Sequence, residues 1–480
     1  MKYYIDLFGC AKNQVDAENM MSCLGNAGWT NVSAVELADL IIVNSCGFIE
    51  SAKQESINAV INWRNLFPNK KILLTGCLSQ RYSDVLPEIL TEADSFMGVQ
   101  DISNIVRKAQ DVMCNNKSSA KKISKTRKHE SLQMNIAFGD RPLLSLPGSA
   151  YVKISEGCNN NCSYCVIPMI RGKLISRSIP EILGECNILL KRGIKELCII
   201  GQDIGAFGTD NTNCDISQEH PEYREKKSQL PQLLNAISKL AGHFWVRLLY
   251  IHPNHFPIEI LYIMERDKRF LPYFDIPFQH ASAKILKAMN RSADLETNVT
   301  EKYLELIGTI RSRLPNAVIR STFMLGFPGE TEEDFSELLD FQQKANIDWL
   351  GCFEYSREEG TNSYSMKKHV SKKIAKQRRL KIEQCQIPIT EKNMERFIGQ
   401  TMEVLIEEKI TSGSDRDISN IDKDEELKEN IWLGRLYCQA PDIDGAAVIT
   451  GGDKNFQQGM LIPCKVINRR GFDLEVRSVL

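Results

Sequence analysis

The sequence predicts an α/β chain in three successive parts: an open parallel α/β domain, a partial or complete parallel β/α barrel, and a small antiparallel β-barrel. Three observations carry this. Strand-like apolar runs alternate with helix-length periodic segments through the first two parts. A polar, basic stretch without apolar periodicity separates them. After about Gly399, short strand candidates follow one another with few helix-length segments between. A length of 480 residues suits several cores rather than one.

Residues 1–113 open with the run Tyr3–Phe8, followed by AKNQVDAENMMSCLGNAG. There Met20, Met21 and Leu24 share a helix face, and Gly25 and Gly28 end it. Leu40–Val43 reads as a buried strand, and Glu50–Phe67 as a helix with Ile57, Val60, Ile61 and Trp63 inward. Lys71–Thr75 is a third strand, with a helical segment around Pro87–Leu90. Residues 114–142, carrying KSSAKKISKTRKHE, read as a solvated basic linker, with docking of the basic run as the alternative. Residues 143–395 hold six strand-like runs: AYVKIS, KELCIIG, FWVRLLY, YFDIPF, AVIRSTFML and LGCFEY. Helical stretches such as IPEILGECNILLKRG, LPQLLNAISKLAG and TEEDFSELLDFQQKAN lie between them, and Thr209–Lys227 reads as a loop insertion. Residues 396–480 supply TMEVLIEE, LGRLYC, AAVIT, MLIPCKVI and FDLEVRSV, with an acidic hairpin extension, SDRDISNIDKDEELKEN, between the first two.

Composition narrows the function classes. Hydrophobic content of 42% and charged content of 25% exclude wholesale disorder. Sixty basic against sixty-one acidic residues argue against a globally basic nucleic-acid binder. From Arg396 to Leu480 eleven Lys/Arg face fifteen Asp/Glu, so the last part is acidic, with a net of −4, and a poor phosphate binder. No uncharged apolar run reaches the roughly eighteen residues of a membrane span, and MKYYIDLFGCAKN carries Asp6 and no cleavage site, so a cytoplasmic protein is expected. Its fifteen cysteines are then expected reduced rather than paired.

The sharpest motif is GCNNNCSYC. Cys158, Cys162 and Cys165 keep three thiolates in one tight loop, enough to cap three corners of an iron–sulfur cube. Three ligands leave one iron open for a substrate or cofactor. Structural zinc is the competing reading, but it takes four ligands and no fourth Cys or His lies near. A second constellation is Cys10, Cys46 and Cys77, each just past one of the first three strands. In a parallel sheet these carboxyl ends share an edge, so the thiols should meet, and the helix starts that follow favour negative charge. The alternative is three separate buried cysteines. Cys23, Cys114, Cys186, Cys198, Cys214, Cys352, Cys385, Cys438 and Cys464 show no ligand spacing and read as core or free thiols. Arg171 and Lys173 could meet a substrate or cofactor carboxylate, or form a solvated pair capping the loop. Gln279 and His280 end a predicted barrel strand and so point to the active face, although His280 reads equally as a structural histidine.

The C-x-x-x-C-x-x-C loop, following a strand and opening a β/α barrel, resembles the radical S-adenosylmethionine enzymes. That resemblance implies a partial barrel and a cluster whose open iron is chelated by S-adenosylmethionine, the source of a 5′-deoxyadenosyl radical. It places Gly201, Gln202 and Asp203 near the cofactor's amino group, and Gly326 and Glu330 of LGFPGE near its backbone, with Gln279 and His280 also assigned to the cofactor. Over almost its whole length the chain resembles the methylthiotransferases, whose last domain is called TRAM. FGCAKNQVDAE, NSCGFIESA, GCLSQRY, EGCNNNCSYCVIPMIRGKLISR, PFQHAS and QAPDIDG look like the branch that modifies a ribosomal protein, with Ser45 and Ser178 as departures from its usual Thr and Pro. The resemblance implies two 4Fe-4S clusters, the second on Cys10, Cys46 and Cys77 carrying a sulfur species that a first S-adenosylmethionine methylates. The radical then removes hydrogen from an aspartate β-carbon in a small-subunit ribosomal protein (protein twelve, near the decoding centre), which receives the methylthio group. A reductant protein is the other implied partner. The competing readings are the branch that modifies adenosine in transfer RNA, a non-catalytic iron–sulfur scaffold or electron carrier, and a zinc-bound RNA-binding protein. The acidic last part leans toward a basic protein substrate.

Overall fold

The computed structural model describes residues 1–114, 140–210, 227–291, 298–410, 431–451, 453 and 455–479. The interior of the basic linker, most of the insertion at 209–227, the acidic extension and Cys214 lie outside the described residues.

The first part is a five-stranded parallel sheet in the order β2-β1-β3-β4-β5, formed by β1 (Lys2–Leu7), β2 (Thr30–Asn31), β3 (Leu40–Ser45), β4 (Lys71–Gly76) and β5 (Ser95–Gly98). Both faces are covered, as parallel sheets require. Leu40, Ile42, Leu73 and Met97 pack with the helices Ala11–Asn26 and Ile105–Met113, while Ile41, Val43, Ile72, Leu74 and Phe96 pack with Val60 of the helix Glu50–Leu66. The two edge strands, of two and four residues, are too short to show periodicity and were not anticipated from the sequence.

The central part is an open six-stranded parallel sheet in the order β13-β12-β11-β10-β9-β6, and so a partial barrel. Its strands are β6 (Ser149–Lys153), β9 (Glu196–Ile200), β10 (Trp245–Leu248), β11 (Phe270–Asp275), β12 (Val318–Leu325) and β13 (Trp349–Glu354), with a two-stranded ribbon of β7 (Ser155–Glu156) and β8 (Ile175–Ser176). Alternate residues divide the core. Ala150, Val152, Leu197, Ile199, Val246 and Phe274 face the helices, and Tyr151, Cys198, Ile200, Trp245 and Tyr273 face inward. Ser178 caps the helix Ile179–Lys191 in a reciprocal capping box with Glu181, so a serine at this position starts the helix well. The 24-residue helix Lys372–Glu395 escapes sequence reading because its buried face is largely polar: Gln342 donates to Gln386 and to the Ile382 carbonyl, and Gln386 to Thr390.

The last part is a closed barrel of β14 (Thr401–Lys409), β15 (Trp432–Arg435), β16 (Ala447–Thr450), β18 (Asp473–Ser478) and β17 (Leu461–Arg470). Four contacts are antiparallel and β16–β18 is parallel. Parity requires this, since directions cannot alternate round a closed ring of five strands. The segment 436–445 enters the inner face of the central sheet. Arg247 donates to the Tyr437 carbonyl at 2.8 Å, Trp349 Nε1 to the Cys438 carbonyl at 2.7 Å, and Tyr273 Oη to Asp444 at 2.6 Å. Glu196, the first residue of β9, pairs with Arg247 at 2.7 Å and Arg435 at 2.5 Å. The barrel therefore seals the amino ends of the strands and leaves their carboxyl ends to the first part. Seven of the fifteen acidic and three of the eleven basic residues lie within 411–430, so the remainder of the barrel is neutral and supplies no electrostatic preference of its own.

Candidate active site

Cys10 precedes the helix Ala11–Asn26 as its N-cap residue, Cys46 follows β3, and Cys77 opens the helix Cys77–Arg81 directly after β4. The pleat thus delivers the three to one edge of the sheet. Gly9, at φ 100°, turns the chain there, and a β-carbon on it would lie 3.4 Å from Cys46 Sγ. Asn13 stitches the strand ends together, donating to the carbonyls of Phe8 and Ser45 at 3.0 Å each and accepting from Cys77 Sγ at 3.3 Å. Burial pushes the Cys77 thiol up to about 12, with Cys10 and Cys46 adding to the rise and Arg171 opposing it. Cys10 is exposed at the rim of the site; the atoms packed around it raise its pKa, but Lys12 and Arg171 outweigh this and the net direction is down.

The second set sits in the loop after β7. Gly157, at φ 72°, packs so closely that a β-carbon would collide with the Lys173 carbonyl, which fixes where Cys158 starts. Burial lifts Cys158 to about 11 and Cys165 to about 12, and each feels the charge of Cys162. Arg291 reaches Cys162 Sγ at 3.7 Å, Tyr164 Oη at 3.3 Å and the Pro277 carbonyl at 2.7 Å. Among the described residues no three His, Cys, Asp or Glu side chains are grouped to share one metal ion. A cubane asks for something else, one thiolate at each of three separate irons. Three mutually interacting thiols with a buried guanidinium beside them fit that demand in both sets. Thiols held near 12 give up the proton to a metal rather than to water.

A buried ionic bridge runs from Cys77 of the first set to the short strand that leads into the second. Arg171, fully buried, reaches Cys77 Sγ at 3.4 Å, Asn13 Oδ1 at 2.6 Å, Asp16 at 2.9 Å and Glu156 at 2.9 Å. Lys153 pairs with Asp16 at 2.5 Å and with Glu156 at 2.7 Å. Glu156 lies two residues before Cys158, so the carboxyl edges of the two sheets face each other. Val166 and Ile170 pack on Cys77 and Val99 beside this bridge. Neither role expected of Arg171, a carboxylate contact with a ligand or a solvated cap, matches its place, whereas Lys173 is exposed.

The other candidates divide sharply. Asp203 has both oxygens engaged: it accepts from Gly205 N and His252 N at 3.1 Å, from Asn160 at 2.9 Å, and pairs with His255 at 2.6 Å. Burial opposes ionisation there, but His255 and Asn160 bring it down to about 2. Through Asn160 it anchors the cysteine loop. Among the described residues neither the buried Oε1 of its neighbour Gln202 nor Ser155 Oγ has a hydrogen-bond partner, and Ser155 Oγ would stand 2.8 Å from a β-carbon on Gly201. Glu330 is spent on Gly326 N at 2.7 Å, Phe327 N at 3.1 Å and Arg378 at 2.7 Å. His280 is buried, accepts from Ser282 N at 3.0 Å, and is driven down to about 3 by burial, so it stays neutral. Gln279, at φ 68°, is pinned between Thr322 O and Met324 N at 2.8 Å. Tyr250, at φ 70°, follows β10 at the same end. Two strained non-glycine residues thus mark the mouth of the partial barrel. Lys12, Asn13, Asp16, Glu156 and Arg291 carry no ligand motif of their own that marks them in the sequence. The available signal was charge inside helix Ala11–Asn26, whose buried face includes Lys12, Asn13, Asp16, Glu18 and Asn19.

Comparison with known proteins bears on this geometry. Residues 2–98 match a family described as uncharacterized protein family UPF0004, residues 152–341 the radical SAM superfamily, and residues 398–479 the TRAM domain. The chain is 44% identical over 490 aligned positions to a ribosomal protein uS12 methylthiotransferase of Treponema denticola, covering 99% of this chain and 100% of that protein. It is 39% identical to a like-named protein of Syntrophomonas wolfei, covering 97% of each. Among solved structures, the radical S-adenosylmethionine methyltransferase TsrM of Kitasatospora setae, with cobalamin and a [4Fe-4S] cluster bound, shares the fold at a TM-score of 0.53. It is 12% identical, over 75% of this chain and 73% of that one.

Proposed function

The chain belongs to the family of ribosomal protein uS12 methylthiotransferases, and from that premise we propose that its six strand-end cysteines hold two iron–sulfur clusters facing one another across the mouth of the partial barrel. It is a radical S-adenosylmethionine methylthiotransferase acting on the ribosomal protein uS12. When bound, S-adenosylmethionine and the clusters supply the radical and the sulfur carrier; the chain supplies placement. The single observation that carries the two-cluster reading is Arg171, which touches Cys77 of one set while holding Glu156, two residues from Cys158 of the other. Arg171 and Arg291 put positive charge beside the thiolates, offsetting the anionic character of each cluster. Gln202 and Ser155 offer buried polar atoms to S-adenosylmethionine at the strand ends, while Asp203 and Glu330 fix the loops around it. Action on a ribosomal protein supports a cytoplasmic enzyme, and we propose a reductant protein as a further partner.

Iron counting on anaerobically prepared protein tests this. About eight irons should fall to about four in both Cys46→Ala and Cys162→Ala. A content of about four in the unaltered protein sinks the two-cluster reading. Mass spectrometry of uS12 and of transfer RNA after turnover should find the methylthio mass on the protein alone.

A further inference from the structure

We propose that Lys12 is the specificity-determining residue for the substrate's aspartate, its ammonium receiving the carboxylate attached to the carbon that is modified. The inference rests on the methylthiotransferase reading and names the chain's own contact to that substrate. Lys12 follows Cys10 by two residues and is 7% exposed. Its Nζ lies 3.0 Å from the centroid of the Tyr250 ring, at the mouth of the barrel. Among the described residues it has no ion-pair partner, and the carboxylates around it are taken. Asp275 is held by Arg320 at 3.0 Å, Glu156 by Arg171 and Lys153, and Asp16 by the same two.

A buried ammonium without a carboxylate is costly, and one aromatic face offsets only part of that cost. The position explains why it is kept. Lys12 stands between Cys10 and the end of the strand that leads into Tyr250, where the two halves of the reaction must meet. An aspartate β-carbon is one bond from its carboxylate. Holding that carboxylate on Lys12 therefore holds the reacting carbon beside Cys10, and an asparagine or an uncharged side chain would leave the ammonium unpaired.

The negative partner could instead be the cluster on Cys10 or the carboxylate of S-adenosylmethionine, and the experiment separates these. Reconstituted full-length wild type, Lys12→Met (neutral, of similar length) and Lys12→Arg (charge kept) are compared on uS12 and on uS12 with its target aspartate changed to asparagine. In Lys12→Met the KM for uS12 should rise at least tenfold and the preference for aspartate over asparagine should fall at least tenfold. Iron content and the KM for S-adenosylmethionine should stay within twofold, and Lys12→Arg should retain the preference. Unchanged KM and preference in Lys12→Met overturn the proposal. Loss of iron assigns Lys12 to the cluster, and a raised KM for S-adenosylmethionine assigns it to the cofactor; either overturns it too. A wild type that leaves uS12 unmodified overturns the underlying reading and this inference with it.

Discussion

At the scale of single residues, the site depends on a network of buried, paired charges, and Arg171 is its hub. Its guanidinium serves Asp16, Glu156, Asn13 and Cys77 at once. Arg171→Met would leave two buried carboxylates sharing Lys153 alone, a loss of about 3–5 kcal/mol for a broken buried pair. We expect a lowered denaturant midpoint together with loss of iron from the Cys10 set, read by unfolding curves and iron analysis. Unchanged stability would mean that the network is solvated. The cysteines are legible in the sequence because ligand chemistry is written in their type and position. Asp203 and Glu330 carry the same weight there as Gln202, because hydrogen-bond occupancy depends on atoms far along the chain, such as His255 and Arg378.

At the scale of elements, the contact between the C-terminal barrel and the central sheet is set by carboxylates of opposite behaviour. Glu196, between Arg247 and Arg435, is held well below its ordinary value of 4.5: burial opposes this, and the two arginines outweigh it. Its stabilisation is present above that ordinary value and is lost as pH falls through the depressed range. Asp444 is pushed up to about 6, chiefly by burial, with Arg320 and Tyr273 opposing. Its contribution is complete below the ordinary 3.8 and is lost as pH rises through about 6. Thermal stability of the docked barrel should therefore peak between the two ordinary values, 3.8 and 4.5, and fall from there as pH rises through about 6. Glu196→Gln should remove the acid limb and cost about 3–5 kcal/mol, and Asp444→Asn should remove the alkaline limb. A flat pH profile in the unaltered protein would refute both assignments. Most strands were legible because their apolar runs are continuous. The polar-faced helix Lys372–Glu395 was not, since its buried Gln386 and Thr390 make hydrogen bonds instead of apolar contacts.

At the scale of the whole molecule, the first part bridges the carboxyl ends of the central sheet from both sides. Arg141 links Glu18 of the first helix to Glu185 at one side, at 2.8 and 2.5 Å. Glu358, just past β13, pairs with Arg81 at 2.7 Å and Lys53 at 3.0 Å at the other. Glu358→Ala should loosen that second clamp. Hydrogen exchange should then rise in the helices Cys77–Arg81 and Glu50–Leu66, while β3 and β4 stay protected, and turnover on uS12 should fall more than S-adenosylmethionine binding. Equal exchange in the variant and the parent would show that Arg141 suffices. The sequence by itself determined the order of the three parts, the parallel character of the first two and the two groups of three cysteines, because periodicity and ligand spacing are local properties of a chain. Only the tertiary structure decided that Arg171 links Cys77 to Glu156, that Lys12 lies over the Tyr250 ring, and that the C-terminal barrel closes the opposite end. Those facts depend on residues far apart in the chain, brought together by buried contacts whose partners no local pattern can identify.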